Sequence, residues 1–271
     1  MAYYGFVPPA VGYPRAQEAA NKALALDPDL PDTHASLALV HLLWRFKWVG
    51  AEREFTTALR LNPNLASAHA TYALYLTTVG RHEWALAQAR IAQQLEPLPM
   101  LINMTLCWAL HFAGLTDEAV REARRTRELA PGFHEAGNLL MALYEPLGRF
   151  EDAARLTLEQ PVYGVRTDGH ALLEAFRRGG AEAYWRKRLE YLDAAVADAP
   201  PSIHFGYAAI YIRLGDTARA IDHLEQLVAA RCSIAVFVGV EPCFQRLRGE
   251  PRFREVLSRL GAPTVSAPHT A

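Results

Sequence analysis

The sequence predicts an all-α fold, an α-α superhelix of antiparallel helix pairs, and three observations carry that prediction. Prolines recur at Pro28, Pro63, Pro97 and Pro131, spaced by 35, 34 and 34 residues. Glycines recur at Gly80, Gly114 and Gly148, spaced by 34 each time. Each proline-to-proline stretch reads as two amphipathic helices divided near its middle, most regularly in 64–97, NLASAHATYALYLTTVGRHEWALAQARIAQQLEP. Self-similarity at this period means stacked supersecondary units, each burying its apolar face only against its neighbours.

In chain order, 14–26 (PRAQEAANKALAL) reads as the second helix of a unit, with Pro14 at its start and Ala16, Ala20 and Ala23 on one face. Its first helix is missing or reduced to Tyr3–Phe6, so the expectation is that a segment once preceded Met1. The second unit pairs helices over 33–43 and 50–61, with an extra residue in the Trp44–Trp48 connection. The fourth pairs 101–112 with 116–129, where Thr116 is expected as an N-cap followed by first-turn acids Asp117 and Glu118. A fifth begins at Gly132, turns at Gly148 and ends near Gln160. The period then breaks. A turn-rich loop is expected over 161–169, then helical stretches over 170–178 and 181–197 divided by Gly179-Gly180. The pattern resumes over 202–214 and 216–230. Two short amphipathic pieces in 242–260 are expected to cap the last helix pair, and 261–271 to fray. The expected division is therefore an array over 1–160, a partial repeat plus four, and a continuation of the same solenoid over 161–271.

Composition narrows the function classes. The chain has 271 residues, 51% hydrophobic and 21% charged, which describes a folded chain rather than a disordered one. A net charge of −1 supplies no field to recruit nucleic acid or an acidic membrane. Cys107, Cys232 and Cys243 match no metal spacing and read as buried free thiols in a reducing compartment, so the expected localisation is cytoplasmic. No apolar run approaches the length of a membrane span, and 1–14 lacks the features of a signal peptide.

The residues at equivalent positions are specific. The third unit supplies His69, Tyr72, Ala73 and Leu76, then Ala85, Ala89, Ala92 and Pro97. The fourth supplies Asn103, Leu106, Cys107 and Leu110, then Ala119, Ala123, Thr126 and Pro131; the second gives Leu37, Ala38, Ala51, Phe55, Ala58 and Pro63. These units resemble tetratricopeptide repeats (TPR), which wind into a right-handed solenoid; the usual first-helix Trp is here His or Asn, and 161–200 matches poorly. The phrases KALALDPDL (22–30), AEREFTTALRLNPNLASAH (51–69) and FQRLRGEPRF (244–253) further resemble the C-terminal repeat regions of multidomain bacterial signalling proteins. That narrower resemblance implies a sensing, docking or oligomerisation module of a signalling or transcription-regulating system, detached from its output domain.

In such repeats the first helices line a concave groove that receives a peptide or partner helix. Carried over, the groove positions are Leu39, Leu42, Ala70, Leu74, Thr77, Met104, Trp108, His111, Asn138, Ala142 and Phe205. Trp108 beside Met104 is the candidate anchor, to be weighed against plain packing between helices. Family members that bind chaperone C-terminal carboxylates carry basic residues at positions matched here by Ala70, Leu74, Met104 and Trp108, so that ligand class is disfavoured. His34, His69 and His204 stand at equivalent places; a metal role needs further ligands, and packing histidines inherited with the repeat are the simpler reading. The cluster Arg121, Arg124, Arg125, Arg127 and the run Arg186-Lys187-Arg188 read as solvated convex faces rather than an RNA track.

No G-x-S-x-G, phosphate-binding glycine loop or H-E-x-x-H motif is present, and the acids fall in first helical turns where they complement the dipole. The expected function is non-catalytic: a protein–protein interaction scaffold binding a peptide or partner domain, with no cofactor, metal, nucleic acid or membrane partner. The uncapped N-terminal repeat is a candidate surface for homo-oligomerisation. The alternatives are the sensor module above and a small-molecule-binding or enzymatic solenoid with a pocket near 161–200.

Overall fold

Two amphipathic stretches of about a dozen residues with a tight turn between them bury most apolar surface by folding back as an antiparallel pair. The computed structural model shows this over 31–61, 66–95 and 203–229, and it describes residues 9–131, 134–159, 165, 167–196 and 199–261. Every regular element among them is helical. The expectations for Tyr3–Phe6, for 161–164 and for 262–271 fall outside the described residues. The chain divides into two compact units, one of 1–113 with 231–271 and one of 114–230.

The first unit holds α1 (Pro9–Leu26), α2 (Pro31–Leu43), α3 (Trp48–Leu61), α4 (Ala66–Thr78), α5 (His82–Leu95) and α6 (Met100–Phe112). Helices α2 and α3, and α4 and α5, pack as pairs, and α6 lies against both α4 and α5. The small signature residues explain the close approach: Ala38, Ala51, Ala58, Ala73, Ala85, Ala89 and Ala92 are all fully buried. Between the pairs, Phe55 sits fully buried against Tyr72 and Tyr75, ring centroids 5.7 and 6.0 Å away. Helix α1 begins five residues before Pro14, which therefore lies inside it. The packing there is Tyr13, buried and stacked on Trp44 at 5.9 Å, a contact that offsets the proline's interruption of the helix.

The unit is completed from the other end of the chain. Residues 231–261 supply 3-10 turns at Ser233–Phe237 and Pro242–Gly249 and a last helix, which is α13 (Pro251–Leu260). The sequence reading laid this segment over the final helix pair. Instead it belongs with α1–α6, and its buried Phe237, Phe244, Leu247, Phe253, Val256 and Leu260 go into that unit's core.

The second unit holds α7 (Thr116–Leu129), α8 (His134–Tyr144), α9 (Phe150–Glu159), α10 (Gly169–Ala195), α11 (Ile203–Arg213) and α12 (Thr217–Ala229). Thr116 is the first helical residue of α7, not its cap: Leu115 holds that place, with no side-chain hydrogen bond. Helix α10 starts on a side-chain cap, Asp168 accepting from the amides of His170 and Ala171 at 2.8 and 3.2 Å. It is two helical stretches joined at Gly179 and Gly180, whose backbones leave helical geometry. The division expected at this dipeptide is therefore present.

The repeating glycines close helix ends in the left-handed conformation. At Gly148 φ is 72° and an added Cβ would meet nothing within 4 Å. Gly148→Ala should therefore cost about 1–2 kcal/mol, all of it conformational, and Gly148→Asn less. Urea midpoints of the two variants check this.

Candidate interaction groove

Repeat-encoded polar ties hold the first helices in place. The residue at the usual Trp position bridges the carbonyl of the preceding proline to a neighbouring helix: the second helix of its own pair for His34 and His69, the preceding helix α5 for Asn103. His34 contacts Pro28 O at 2.9 Å and Glu54 Oε2 at 2.7 Å. His69 contacts Pro63 O at 2.8 Å and Gln88 Oε1 at 2.6 Å. Asn103 donates to Pro97 O at 3.1 Å and accepts from Gln93 Nε2 at 3.1 Å. Each tie satisfies a carbonyl at the foot of a helix, where no intrahelical donor reaches it. His204 keeps half of the pattern, its Nδ1 lying 2.9 Å from His223 Nδ1. Among the described residues no group of three or more His, Cys, Asp or Glu could hold a metal ion. In the structure His34, His69 and His204 tie one helix to another.

The His204–His223 contact has room for one proton, since two N–H groups cannot face each other at that distance. Burial holds His204 below its ordinary range; burial, then the neighbouring His204, does the same to His223. Burial also lowers His41, His82 and His111. Each folded pKa lies below the unfolded 6.5, so the unfolded chain takes up more protons as pH falls. Burial raises the Glu54 carboxyl, but hydrogen bonds from His34 and Arg53 outweigh it and leave its pKa lowered from 4.5. That contribution, present above 4.5, is lost in more acid solution as pH falls through the folded value. The urea midpoint should thus be highest above pH 6.5 and fall steadily below it. His223→Gln, which reproduces the His69–Gln88 pair, should flatten part of the slope.

The expected groove positions divide between the two units. On α2, α4 and α6, Leu42, Ala70, Leu74, Thr77 and Met104 are buried, while Leu39, Trp108 and His111 are half-buried. Ala70 packs with Ala66, Ala92 and Ile102, between helices rather than on an open wall. In the second unit Asn138 and Ala142 on α8 and Phe205 on α11 are half-buried.

The chain itself covers part of this surface, at Trp108 and Phe112 on α6. Phe237 lies parallel to Phe112, with centroids 5.3 Å apart and planes within 6°. It also lies 6.1 Å from Trp108, which contacts His111 and Phe112 in turn. The turn carrying Phe237 packs on α2 as well. At the end of α13, Leu260 O accepts a buried hydrogen bond from Trp48 Nε1 at 2.8 Å. His111, whose pKa burial lowers, faces the opposing charge of Glu241. Trp108 is thus neither bare nor packed only between first helices. The available signal was 234–240, IAVFVGV, an apolar run that fits neither the repeat signature nor a helix pair.

The basic clusters are tied locally. Arg124 Nε donates to Tyr144 Oη at 2.8 Å, and Arg127 pairs with Glu159. Arg186 and Lys187 pair with Glu182 and Glu190. Arg188, expected on a solvated face, is buried and pairs with buried Glu145 at 2.8 Å. It faces inward on α10, where Tyr184 donates to the same carboxylate oxygen at 3.0 Å. All three cysteines are free; Cys107 is buried and the other two are half-buried. No helix among the described residues is long and apolar enough to cross a membrane.

Helix pairs in a 34-residue period, with alanines buried at the second-helix positions and left-handed glycines between helices, decide the architecture. The chain has the tetratricopeptide-repeat fold. Two solved structures superpose at a TM-score of 0.50 or above. A chain of the APC/C hetero-tetramer Cut9–Hcn1 superposes with a TM-score of 0.53 at 17% identity over 92% of this chain. The chain spans 46% of that protein's length. PilW, a type IV pilus biogenesis factor, gives 0.50 at 17% identity, covering 87% of this chain and 90% of that one. A tetratricopeptide repeat protein from Parabacteroides merdae gives 0.46 at 16% identity, covering 95% and 94%. No protein-family model and no curated protein sequence matches the chain.

Proposed function

We propose that this TPR chain is a non-catalytic protein–protein interaction scaffold whose first-helix face on α2, α4 and α6 receives a peptide or partner domain. The observation that supports this most is Phe237, an aromatic from a distant stretch of chain seated against Trp108 and Phe112. A face that takes up one such side chain has the shape and polarity to take up another. Rigid stacked helices keep that face preformed, so little ordering entropy opposes binding. Its rings and aliphatic side chains carry no basic track, in keeping with a protein ligand rather than nucleic acid or a carboxylate terminus.

The test is selection of a displayed peptide library on the full chain, with Trp108→Ala in parallel and matched helicity confirmed by circular dichroism. Enrichment of aromatic-bearing peptides that is lost in Trp108→Ala supports the reading. No enrichment, or enrichment indifferent to Trp108, contradicts it.

A further inference from the structure

We propose that residues 232–261 are an intramolecular ligand of the first-helix face, and that a partner peptide binds by displacing them. The partner chemistry follows from the occupant: an aromatic side chain within a run of small and β-branched apolar residues, as in Ile234-Ala235-Val236-Phe237. The proposal rests on the scaffold reading and names what that scaffold binds and how access is controlled.

Four observations converge on it. The segment reaches the face from the far end of the chain: it touches α2 through its first 3-10 turn and α6 through Phe237. Helix α4 packs against both α2 and α6, the two helices that the segment touches. Its contact with α6 is made by rings, Phe237 against Trp108 and Phe112, and such contacts depend on shape and apolar area rather than on a unique partner. A directional tie lies at its far end, Trp48 Nε1 to Leu260 O. Its first two elements are 3-10 turns, with poorer hydrogen-bond geometry than an α-helix.

The link joining it to α12 is exposed at Ala229, Ala230 and Arg231. A covalent tether holds a ligand at an effective concentration of about a millimolar. A free peptide of equal intrinsic affinity therefore competes poorly with the intact chain and well once the tether is cut. Covalent continuity, not contact strength, then sets the threshold for a partner.

The experiment replaces 229–231 with a specific protease site, folds the full chain, and cleaves it afterwards. A fluorescent synthetic peptide of 232–261 is titrated into nicked and intact protein, alongside the same peptide carrying Phe237→Ala. The expected result is exchange of the nicked fragment for labelled peptide, affinity on the order of a hundredfold higher than for intact chain, and failure of the Phe237→Ala peptide. Retention of the fragment against excess peptide, equal binding to nicked and intact protein, or equal binding of both peptides overturns the proposal. The two readings fail separately. A nicked chain that never exchanges, beside displayed peptides that still select on Trp108, sinks displacement and keeps the scaffold. Exchange of the chain's own segment, with no foreign peptide selected even on the nicked chain, keeps the intramolecular ligand and sinks the scaffold.

Discussion

Arg188→Ala is expected to destabilise the chain by about 3–5 kcal/mol, the cost of leaving one half of a buried ion pair uncompensated. Arg188 and Glu145 are only 7% and 8% exposed, and their 2.8 Å contact is joined by the Tyr184 hydroxyl. Removing the guanidinium strands a buried carboxylate beside Tyr184, whose ring packs on Phe150 and Trp185. Replacing the network as a whole gives the opposite result. Glu145→Leu with Arg188→Met and Tyr184→Phe removes these three polar side chains at once and should recover most of the loss. Urea denaturation of the single and triple variants separates a costly vacancy from a favourable pair. Equal losses in both would mean that packing, not charge, holds the site.

The second large effect is expected at Phe55. It is fully buried between the α2–α3 and α4–α5 pairs, against Tyr72 and Tyr75. Phe55→Ala opens a cavity there and should cost about 3–5 kcal/mol, whereas Phe55→Leu should cost far less. The loss has a polar side too, because Tyr75 donates to Glu52 Oε2 at 3.1 Å and Glu52 also pairs with Arg81. A shifted Tyr75 ring gives up that bond. Chemical denaturation with near-ultraviolet circular dichroism reads both. A loss under about 1 kcal/mol would show that the repeats close over the gap.

These two residues mark what the sequence could and could not disclose. Phe55 stands at a signature position, repeated in phase with Ala89 and Ala123, so its burial was legible from the period alone. The histidine ties were legible as equivalent positions, though not their partners, which lie 19 or 20 residues on in the second helix. Arg188 was not legible. A basic run reads as solvated unless a distant carboxylate is known to face it, and Glu145 lies 43 residues away. The same limit hid the C-terminal segment. Local pattern correctly marked its apolar residues as buried, but nothing local says which surface they cover. Trp48 was taken for part of a loop because its indole is satisfied by Leu260, 212 residues on. Repeat periodicity describes contacts between neighbouring units, and each of these misses is a contact outside that range.

The central claim is that the chain's own 232–261 segment occupies the first-helix face through Trp108 and Phe112. Hydrogen exchange on the full chain measures it most directly. The Val238 and Val240 amides donate to Ala235 O and Phe237 O, so they report on the seated turn. In wild type they should exchange slowly. In Trp108→Ala they should exchange at least about tenfold faster, while the amides of α4 and α5 keep their protection. Fast exchange at 235–244 in wild type, or protection there that ignores Trp108→Ala, would contradict the account.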